Sequence, residues 1–234
     1  MLSTADKKLI RKLRQKKYRW QNGLFVAEGP KVVNDLLQAS LPVSKIFATD
    51  ETQWPQAQSV SAKELKEISE LSTPNQVLAI FEFPKGGFNA NEACLLLDGI
   101  NDPGNLGTII RTADWFGFRQ IFCLPGTADA FNPKTVQSTM GSLARVYLQY
   151  AAAESVLEQI EGHRLLVADM EGQKLEKVQK STQPTALVMG SESHGPSNFW
   201  KERGEAVTIS KSGGSEIDSL NVAVAAGIFM SQLS

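Results

Sequence analysis

Three stretches of the chain combine glycines with polar side chains that could hold a ligand. They read NDPGNLGTIIR at 101–111, VMGSESHGPS at 188–197 and ISKSGGSEIDSLN at 209–221. Glycine lets a loop backbone approach a ligand closely, and the polar groups beside it could fix that ligand in one orientation. Each stretch taken alone is equally typical of ordinary turns, and none is a Walker A loop or a Gly-x-Gly-x-x-Gly fingerprint. A binding site therefore depends on the fold that brings them together.

Strand-like apolar runs precede all three stretches. Strands are predicted at CLLLD (94–98), QIFCL (120–124), RLLVA (164–168), TALVMG (185–190) and AVTIS (206–210). Helices are predicted at 105–116, 133–145, 153–161 and 219–232. This alternation indicates an α/β fold with a mostly parallel sheet and helices on both faces. Ligands of such sheets bind outside the carboxyl ends of the strands, so the sequence predicts a small-molecule site where the three stretches follow their strands.

A second α/β unit is predicted before this one. VSKIFAT (43–49) and NQVLAIFEF (75–83) are strand-like, and Ser61 and Glu64 have capping-box spacing. The Pro/Gly/Asn-rich stretch at 84–93 is typical of a linker. We therefore predict an N-terminal domain at 1–83, a linker at 84–93 and a second domain at 94–234.

Positive charge is concentrated near the N-terminus. KKLIRKLRQKKYR (7–19) has eight lysines or arginines and no acid, in a chain of 234 residues with a net charge of −1. Its apolar residues have helical spacing, which predicts a basic amphipathic helix. Such a helix can be a solvated face or an arm that contacts phosphates. In the second case the contacts are expected from Lys12, Arg14, Lys16 and Lys17.

Several functional classes are disfavoured by composition. Cys94 and Cys123 lie in apolar runs and are predicted to be buried free thiols. His163 and His194 are isolated, so no metal site is expected. The N-terminus lacks the apolar segment of a signal peptide, and no run approaches the roughly 18 apolar residues of a membrane span. A cytoplasmic protein is expected.

The order of the motifs resembles one enzyme family. LDGINDPGNLGTIIRTADWFG, FNPKTVQSTMGSLARV, LVMGSESHGPS and SLNVAVAAGI are similar to the successive motifs of the SpoU (TrmH-like) RNA 2′-O-ribose methyltransferases, within the SPOUT class. RKLRQKKYRWQNGLFVAEGPKVV and ELSTPNQVLAIF resemble the small N-terminal substrate-binding domain of that family. The resemblance covers nearly the whole chain.

The resemblance implies properties that the pattern alone does not. It implies a SPOUT α/β domain with a deep trefoil knot, whereas general topology rules favour an unknotted sheet. It also implies a small L30e-like RNA-binding N-terminal domain, S-adenosylmethionine as the cofactor, a homodimer, and structured ribosomal or transfer RNA as the substrate. Trp115 and Phe116 are then expected in a helix–sheet or dimer core.

Site residues follow from the resemblance motif by motif. The implied catalytic residues are Asn105, Arg111, Glu192, Ser219 and Asn221. The implied cofactor contacts, largely through the backbone, are Met140, Gly141, Ser142, Met189, Gly190, Ile209 and Leu220. Asn105 is expected to cap its helix and Arg111 to face the pocket within the first two turns. Ser219 and Asn221 remain open to a second interpretation as ordinary helix caps, and Glu192 to one as a loop-holding residue.

The third motif departs from the family pattern. Ile209-Ser210-Lys211 stands where the family has Ile-Pro-Met, and two extra residues precede Ser219. This departure leaves open a non-catalytic RNA-binding relative, while the intact motif residues favour an enzyme. A small-molecule enzyme without an RNA role is a third possibility, which the basic segment disfavours.

Overall fold

A computed structural model describes residues 2–179, 181–213 and 216–234, so Gly214 and Ser215 of the third stretch lie outside the described residues. The helices are α1 (Thr4–Leu13), α2 (Lys16–Asn22), α3 (Pro30–Gln38), α4 (Ala62–Ile68), α5 (Pro103–Phe116), α6 (Pro133–Thr139), α7 (Ala153–Gln159), α8 (Asn198–Lys201) and α9 (Val222–Leu233). The strands are β1 (Leu24–Glu28), β2 (Val43–Ala48), β3 (Gln58–Ser59), β4 (Val77–Glu82), β5 (Cys94–Asp98), β6 (Gln120–Cys123), β7 (Tyr147–Tyr150), β8 (Arg164–Lys174), β9 (Thr185–Gly190) and β10 (Glu205–Thr208). Two 3-10 helices lie at Met140–Ala144 and Leu175–Lys177.

The chain forms two compact units. The first comprises Met1–Lys85 and Asp129–Arg145, and the second comprises Gly86–Ala128 and Val146–Ser234. This division follows packing and differs from the predicted domains 1–83 and 94–234, which remain a prediction.

The first unit has a four-stranded sheet in the order β1-β4-β2-β3. Its core contains apolar residues from α1, α4 and the sheet, among them Ile10, Leu13, Phe47 and Leu78. The capping box of α4 is present as predicted, because Ser61 and Glu64 bond each other's backbone N–H groups.

The basic segment forms two helices rather than the single helix that was predicted. The helices are interrupted at Arg14 and Gln15, and Gln15 has an extended backbone. Arg19 is buried, and its Nη1 donates to the carbonyl oxygens of Leu13 at 2.8 Å and Arg14 at 2.7 Å. Carbonyls at a helix end lack partners within the helix, so Arg19 satisfies the end of α1. Its ion pair with Asp129, at 2.6 Å, holds this turn by a tertiary contact that local periodicity does not reveal.

The second unit has a six-stranded sheet in the order β10-β8-β9-β5-β6-β7, and every pairing in it is parallel. Each residue from Cys94 to Leu97 in β5 is fully buried. Because side chains alternate between the two faces of a strand, both faces of the sheet are covered at β5. This confirms the predicted parallel α/β architecture.

The described residues bear on the expectations about cysteines, metal ligands and membrane-spanning helices. Cys94 and Cys123 are buried and form no disulfide, as predicted, and burial raises the pKa of the Cys94 thiol to about 12. Among the described residues, no group of three or more histidines, cysteines or carboxylates is placed to hold a metal ion. Within the same residues, no helix has the length and hydropathy needed to cross a membrane.

Candidate functional site

The carboxyl ends of β5 and β9 lie side by side in the second unit. Their parallel register pairs Asp98 with Gly190, the last residues of the two strands. The loops that follow them therefore begin at the same edge of the sheet. Asp98 Oδ2 accepts a hydrogen bond from the backbone N–H of Ser197 at 2.8 Å, which joins the end of β5 to the second polar stretch.

One residue from each of the three polar stretches meets in a hydrogen-bonded cluster. Glu192 Oε1 accepts bonds from Asn105 Nδ2 at 3.1 Å and from Asn221 Nδ2 at 2.8 Å. Asn221 Nδ2 also donates to Asn105 Oδ1 at 3.0 Å. The backbone N–H of Val222 donates to the same Glu192 oxygen at 3.3 Å. We call Asn105, Glu192 and Asn221 the motif cluster, because it unites the three stretches in one place.

Helix capping positions two members of the motif cluster. Asp102, not Asn105, caps α5, and its Oδ1 accepts from the backbone N–H of Asn105 at 2.8 Å. The predicted capping role of Asn105 is therefore wrong, and its amide is directed instead to Glu192. Asn221 caps α9, because its Oδ1 accepts from the N–H groups of Ala223 and Val224 at 3.0 and 3.3 Å. Asn221 thus combines capping through its oxygen with cluster formation through its nitrogen.

A cavity of about 560 Å³ lies beside the motif cluster. It is bounded by residues 168–170 in the middle of β8, by the carboxyl ends of β9 and β10 and the loops after them, and by α9. The predicted site residues that line it are Met189, Gly190, Glu192, Ile209, Ser219 and Leu220. Pockets of roughly 300–1,000 Å³ are usual for small ligands, so the size of the cavity suits a small-molecule ligand. We call it the strand-end cavity.

Close backbone packing explains the glycine at the end of β9. A Cβ placed on Gly190 would lie 1.9 Å from the carbonyl carbon of Gly195 and 1.9 Å from the nitrogen of Pro196. These neighbours are backbone or ring atoms and cannot turn aside as a flexible side chain would. The loop 191–197 therefore folds back onto β9 only because residue 190 has no side chain.

Arg111 and Ser219 occupy different surroundings. Arg111 is exposed on α5, and among the described residues it makes no hydrogen bond or ion pair. Because α5 begins at Pro103, Arg111 lies at the start of the third turn rather than within the first two turns. It does not belong to the described lining of the strand-end cavity, whereas Ser219 does.

The remaining predicted cofactor contacts lie in the first unit. Met140, Gly141 and Ser142 form part of a 3-10 helix there, and a Cβ on Gly141 would lie 2.6 Å from Cβ of Asp35. None of these residues is among the described residues that line the strand-end cavity. Their assignment to the cofactor stays a prediction.

Several cavity residues were not predicted from the sequence, and two of them form an ion pair. Asp169 and Lys201 both line the strand-end cavity, and their side chains form an ion pair at 2.7 Å. Asp169 directly follows the predicted strand 164–168, so the strand-end rule could have identified it. No sequence signal marks Lys201, which reaches the cavity from the short helix α8.

Comparison with known families decides the identity of this arrangement. Residues 92–231 match the SpoU rRNA methylase family, and residues 7–79 match the MRM3-like substrate-binding domain. The chain belongs to the SpoU rRNA methylase family. The resemblance read from the motifs is confirmed, and the SpoU region contains the motif cluster and the strand-end cavity.

Individual SpoU relatives extend this assignment over the whole chain. The 23S rRNA (guanosine(2553)-2′-O)-methyltransferase RlmP of Bacillus subtilis is 32% identical over 95% of this chain and 93% of its own. A TrmH-family structure from Porphyromonas gingivalis has 36% identity and a TM-score of 0.89, and covers 100% of this chain and 98% of its own. An AdoMet-bound rRNA methyltransferase from Sinorhizobium meliloti has 29% identity and a TM-score of 0.87, with 100% and 96% covered.

The double role of Asn221 in this SpoU fold can be separated by substitution. Asn221→Ala removes both the cap and the amide, so we expect a loss of about 1 kcal/mol in the free energy of unfolding. Asn221→Ser keeps a capping oxygen but has no amide to hold Glu192. It should retain most of the stability and still lose the geometry of the motif cluster.

Urea unfolding and single-turnover methyl transfer measure the two effects. The serine variant should unfold near the wild-type midpoint and transfer methyl groups more slowly. A serine variant that transfers methyl groups at the wild-type rate would show that the hydrogen bond from the Asn221 amide to Glu192 does not contribute to catalysis.

Proposed function

We propose that this protein transfers a methyl group from S-adenosylmethionine to a ribose 2′-hydroxyl in structured RNA, with ribosomal RNA favoured over transfer RNA. The observation that carries the proposal is the joining of Asn105, Glu192 and Asn221 into one cluster beside the strand-end cavity. The rRNA methyltransferase names of relatives that match nearly the entire length of this chain support rRNA as the substrate class.

The strand-end cavity fits an adenosine-containing cofactor. Apolar side chains from α9 and its approach, among them Leu220, Val222 and Phe229, form part of its wall. Backbone at Gly190, the last residue of β9, and at Ile209, just after β10, forms another part, where N–H and C=O groups can hydrogen-bond the edge of a base. When bound, S-adenosylmethionine supplies an electrophilic methyl group, so the protein must provide binding, alignment and removal of one proton.

We assign Arg111 to the RNA rather than to the cofactor. Its exposed guanidinium is open to a nucleotide phosphate and to the reacting 2′-oxygen. Guanidinium stays protonated in proteins and is a poor base. It can hold two oxygens at once with a planar fork, and its positive charge stabilises an oxygen that becomes negative as the proton leaves.

We assign Glu192 mainly to positioning. Its Oε1 accepts the bonds of Asn105, Asn221 and Val222, so one carboxylate holds the start of α5 and the start of α9 to the loop after β9. A carboxylate has about four acceptor positions on its two oxygens, which leaves Oε2 with capacity to receive a proton. The acceptor of the proton is thus Glu192 Oε2, phosphate or water.

The basic segment is the proposed RNA-binding surface, in a narrower form than the sequence suggested. Arg14 Nε pairs with Glu70 Oε1 at 3.0 Å and donates through Nη2 to the carbonyls of Ile68 and Ser69. Lys12, Lys16 and Lys17 are exposed. Phosphate contacts from these three lysines would account for binding by a chain whose net charge is only −1.

Substitution of the three lysines tests this surface. Lys12→Gln, Lys16→Gln and Lys17→Gln together should weaken RNA binding and flatten its dependence on salt by somewhat under one log–log unit for each lost phosphate contact. Cofactor affinity should stay unchanged. Arg14→Gln is the contrasting variant, because it should lower the stability of the first unit with a smaller effect on the slope. A triple variant with wild-type slope and affinity would exclude these lysines from the interface.

We include a trefoil knot and a cytoplasmic location in the same proposal, because the family resemblance implies the first and the composition predicts the second.

A homodimer is the third part of the proposal. Trp115 on α5 is 83% exposed and Val224 on α9 is 53% exposed, and α5 and α9 contact each other. Exposed large apolar side chains on neighbouring helices are typical of an interface, so a second copy of the chain is the expected partner. Sedimentation of wild type and Trp115→Glu tests it, since the variant should shift towards monomer.

The test of the proposed activity uses the full chain. Titration calorimetry with S-adenosylhomocysteine measures cofactor binding, and mapping of 2′-O-methyl sites in total RNA from a deletion strain identifies the nucleotide. The altered third motif, where Ile209, Ser210 and Lys211 line the cavity, is the only support for a non-catalytic relative. A folded protein with no heat of binding and no missing methyl group would favour that alternative.

A further inference from the structure

A bulge in β8 places an acidic side chain in the strand-end cavity. β8 pairs with β10 through Val167 opposite Ala206, and the next pair joins Gln173 to Val207. The intervening residues 168–172 therefore leave the regular ladder at the carboxyl edge of the sheet, as bulges near active sites commonly do. Asp169 lies within this bulge and lines the cavity.

Close packing holds the bulge in position. A Cβ on Gly172 would lie 2.3 Å from the backbone nitrogen of Val207 and 2.4 Å from the carbonyl carbon of Ala206. The bulge can therefore lie against β10 only with glycine at 172. Asp169 and Gly190, whose backbone is among the proposed cofactor contacts, both line the strand-end cavity.

Lysine pairing orients the Asp169 carboxylate. Lys201 Nζ lies 2.7 Å from Asp169 Oδ2, and the backbone N–H of Glu171 donates to Oδ1 at 3.1 Å. The hydrogen bond from Lys201 is the main reason that the pKa of Asp169 lies below its ordinary value. The group is ionised at neutral pH, and its two oxygens keep acceptor capacity beyond these contacts.

The charges of Asp169 and Lys201 indicate which polar group of the cofactor Asp169 would bind. We propose that Asp169, aligned by Lys201, accepts hydrogen bonds from the ribose hydroxyls of the cofactor. The methionine ammonium is the charged donor that a carboxylate would attract, but it would approach the positive charge of Lys201. The adenine amino group is a neutral donor, and the 2′-deoxy probe used below distinguishes it from the ribose. Hydroxyl groups are neutral and avoid that repulsion. The proposal rests on the proposed S-adenosylmethionine site and adds a specific subsite to it.

Binding measurements on the full chain separate the ribose from the amino-acid end. The probes are S-adenosylhomocysteine, 5′-methylthioadenosine, which has the ribose but no amino-acid end, and the 2′-deoxy form of 5′-methylthioadenosine. Asp169→Asn should lower the affinity for S-adenosylhomocysteine and for 5′-methylthioadenosine by about tenfold or more. This is the range expected when one hydrogen bond to a charged group is lost. Wild type should prefer the ribose ligand over its 2′-deoxy form, and the variant should lose most of that preference.

Two further variants complete the test. Glu171→Gln removes an exposed carboxylate two residues away and should bind all three probes as wild type does. Lys201→Met keeps Asp169 but removes its ion-pair partner. It should lower the affinity for both ribose-containing probes, by a smaller factor than Asp169→Asn does. Thermal melting confirms that each variant is folded.

The outcomes distinguish this inference from the proposed function. Equal affinities in wild type and Asp169→Asn would overturn the ribose assignment while leaving the cofactor site intact. A loss confined to S-adenosylhomocysteine would also overturn it, by placing Asp169 at the amino-acid end. A folded wild-type protein that binds none of the probes would instead contradict the proposed cofactor itself.

Discussion

Arg111→Lys should lower the single-turnover rate of methyl transfer by at least tenfold, which is about 1.4 kcal/mol of transition-state stabilisation. Lysine keeps the positive charge but lacks the planar fork that holds a phosphate and the reacting oxygen together. Arg111→Ala should cost more, in the range of roughly 10²–10³ that follows removal of a donor to a developing oxyanion.

The affinities should respond differently from the rate. Cofactor binding should barely change, because Arg111 lies outside the described lining of the strand-end cavity. RNA affinity should fall less than the rate, since the contact is proposed to strengthen as the hydroxyl loses its proton. Rates measured with saturating RNA and cofactor separate these effects.

Arg119→Lys is the matched control for this substitution. Arg119 follows the end of α5 and pairs with Asp114 at 3.2 Å, an ion pair that lysine can retain. The control should transfer methyl groups at the wild-type rate. An Arg111→Lys variant as fast as wild type would refute the assigned role of Arg111 and leave Glu192 as the better candidate for the chemical step.

Gly190→Ala should have the largest effect on the architecture of the site. The added methyl group would lie 1.9 Å from backbone and ring atoms of Gly195 and Pro196, so either the loop 191–197 must move or β9 must shift. Overpacking of this kind costs about 1–3 kcal/mol and sometimes more. Displacement of the loop would also move Glu192 away from Asn105 and Asn221.

Two measurements test the glycine substitution. The free energy of unfolding should fall by about 1–3 kcal/mol or more, and the affinity for S-adenosylhomocysteine should fall as well. Gly87→Ala is the control, because a Cβ there meets no described atom within 4 Å, the residue has no positive φ, and it lies outside the described lining of the cavity. Wild-type stability and affinity in Gly190→Ala would show that the loop relaxes freely and that its fold does not shape the cavity.

Local sequence determined the elements and the edge of the sheet where the site lies. The strands at 94–98 and 185–190 match the predicted limits, because continuous apolar runs of this length are buried on both faces of a parallel sheet. The order of the motifs also determined the family. β1, β3 and β7 were not predicted, and the half-buried residues of β7 have no distinct apolar run that would mark a strand.

Contacts between residues far apart in sequence decided the division of the basic segment, the motif cluster and the ion pair in the cavity. Arg19 divides the basic segment into two helices through its buried pair with Asp129, 110 positions away. Glu192 gathers Asn105 and Asn221 from 87 and 29 positions away. Lys201, at the end of α8, pairs with Asp169 in β8, 32 positions away in sequence. Periodicity and capping depend on neighbours within a few residues, whereas hydrogen bonds and ion pairs depend on the distances that only the folded chain establishes.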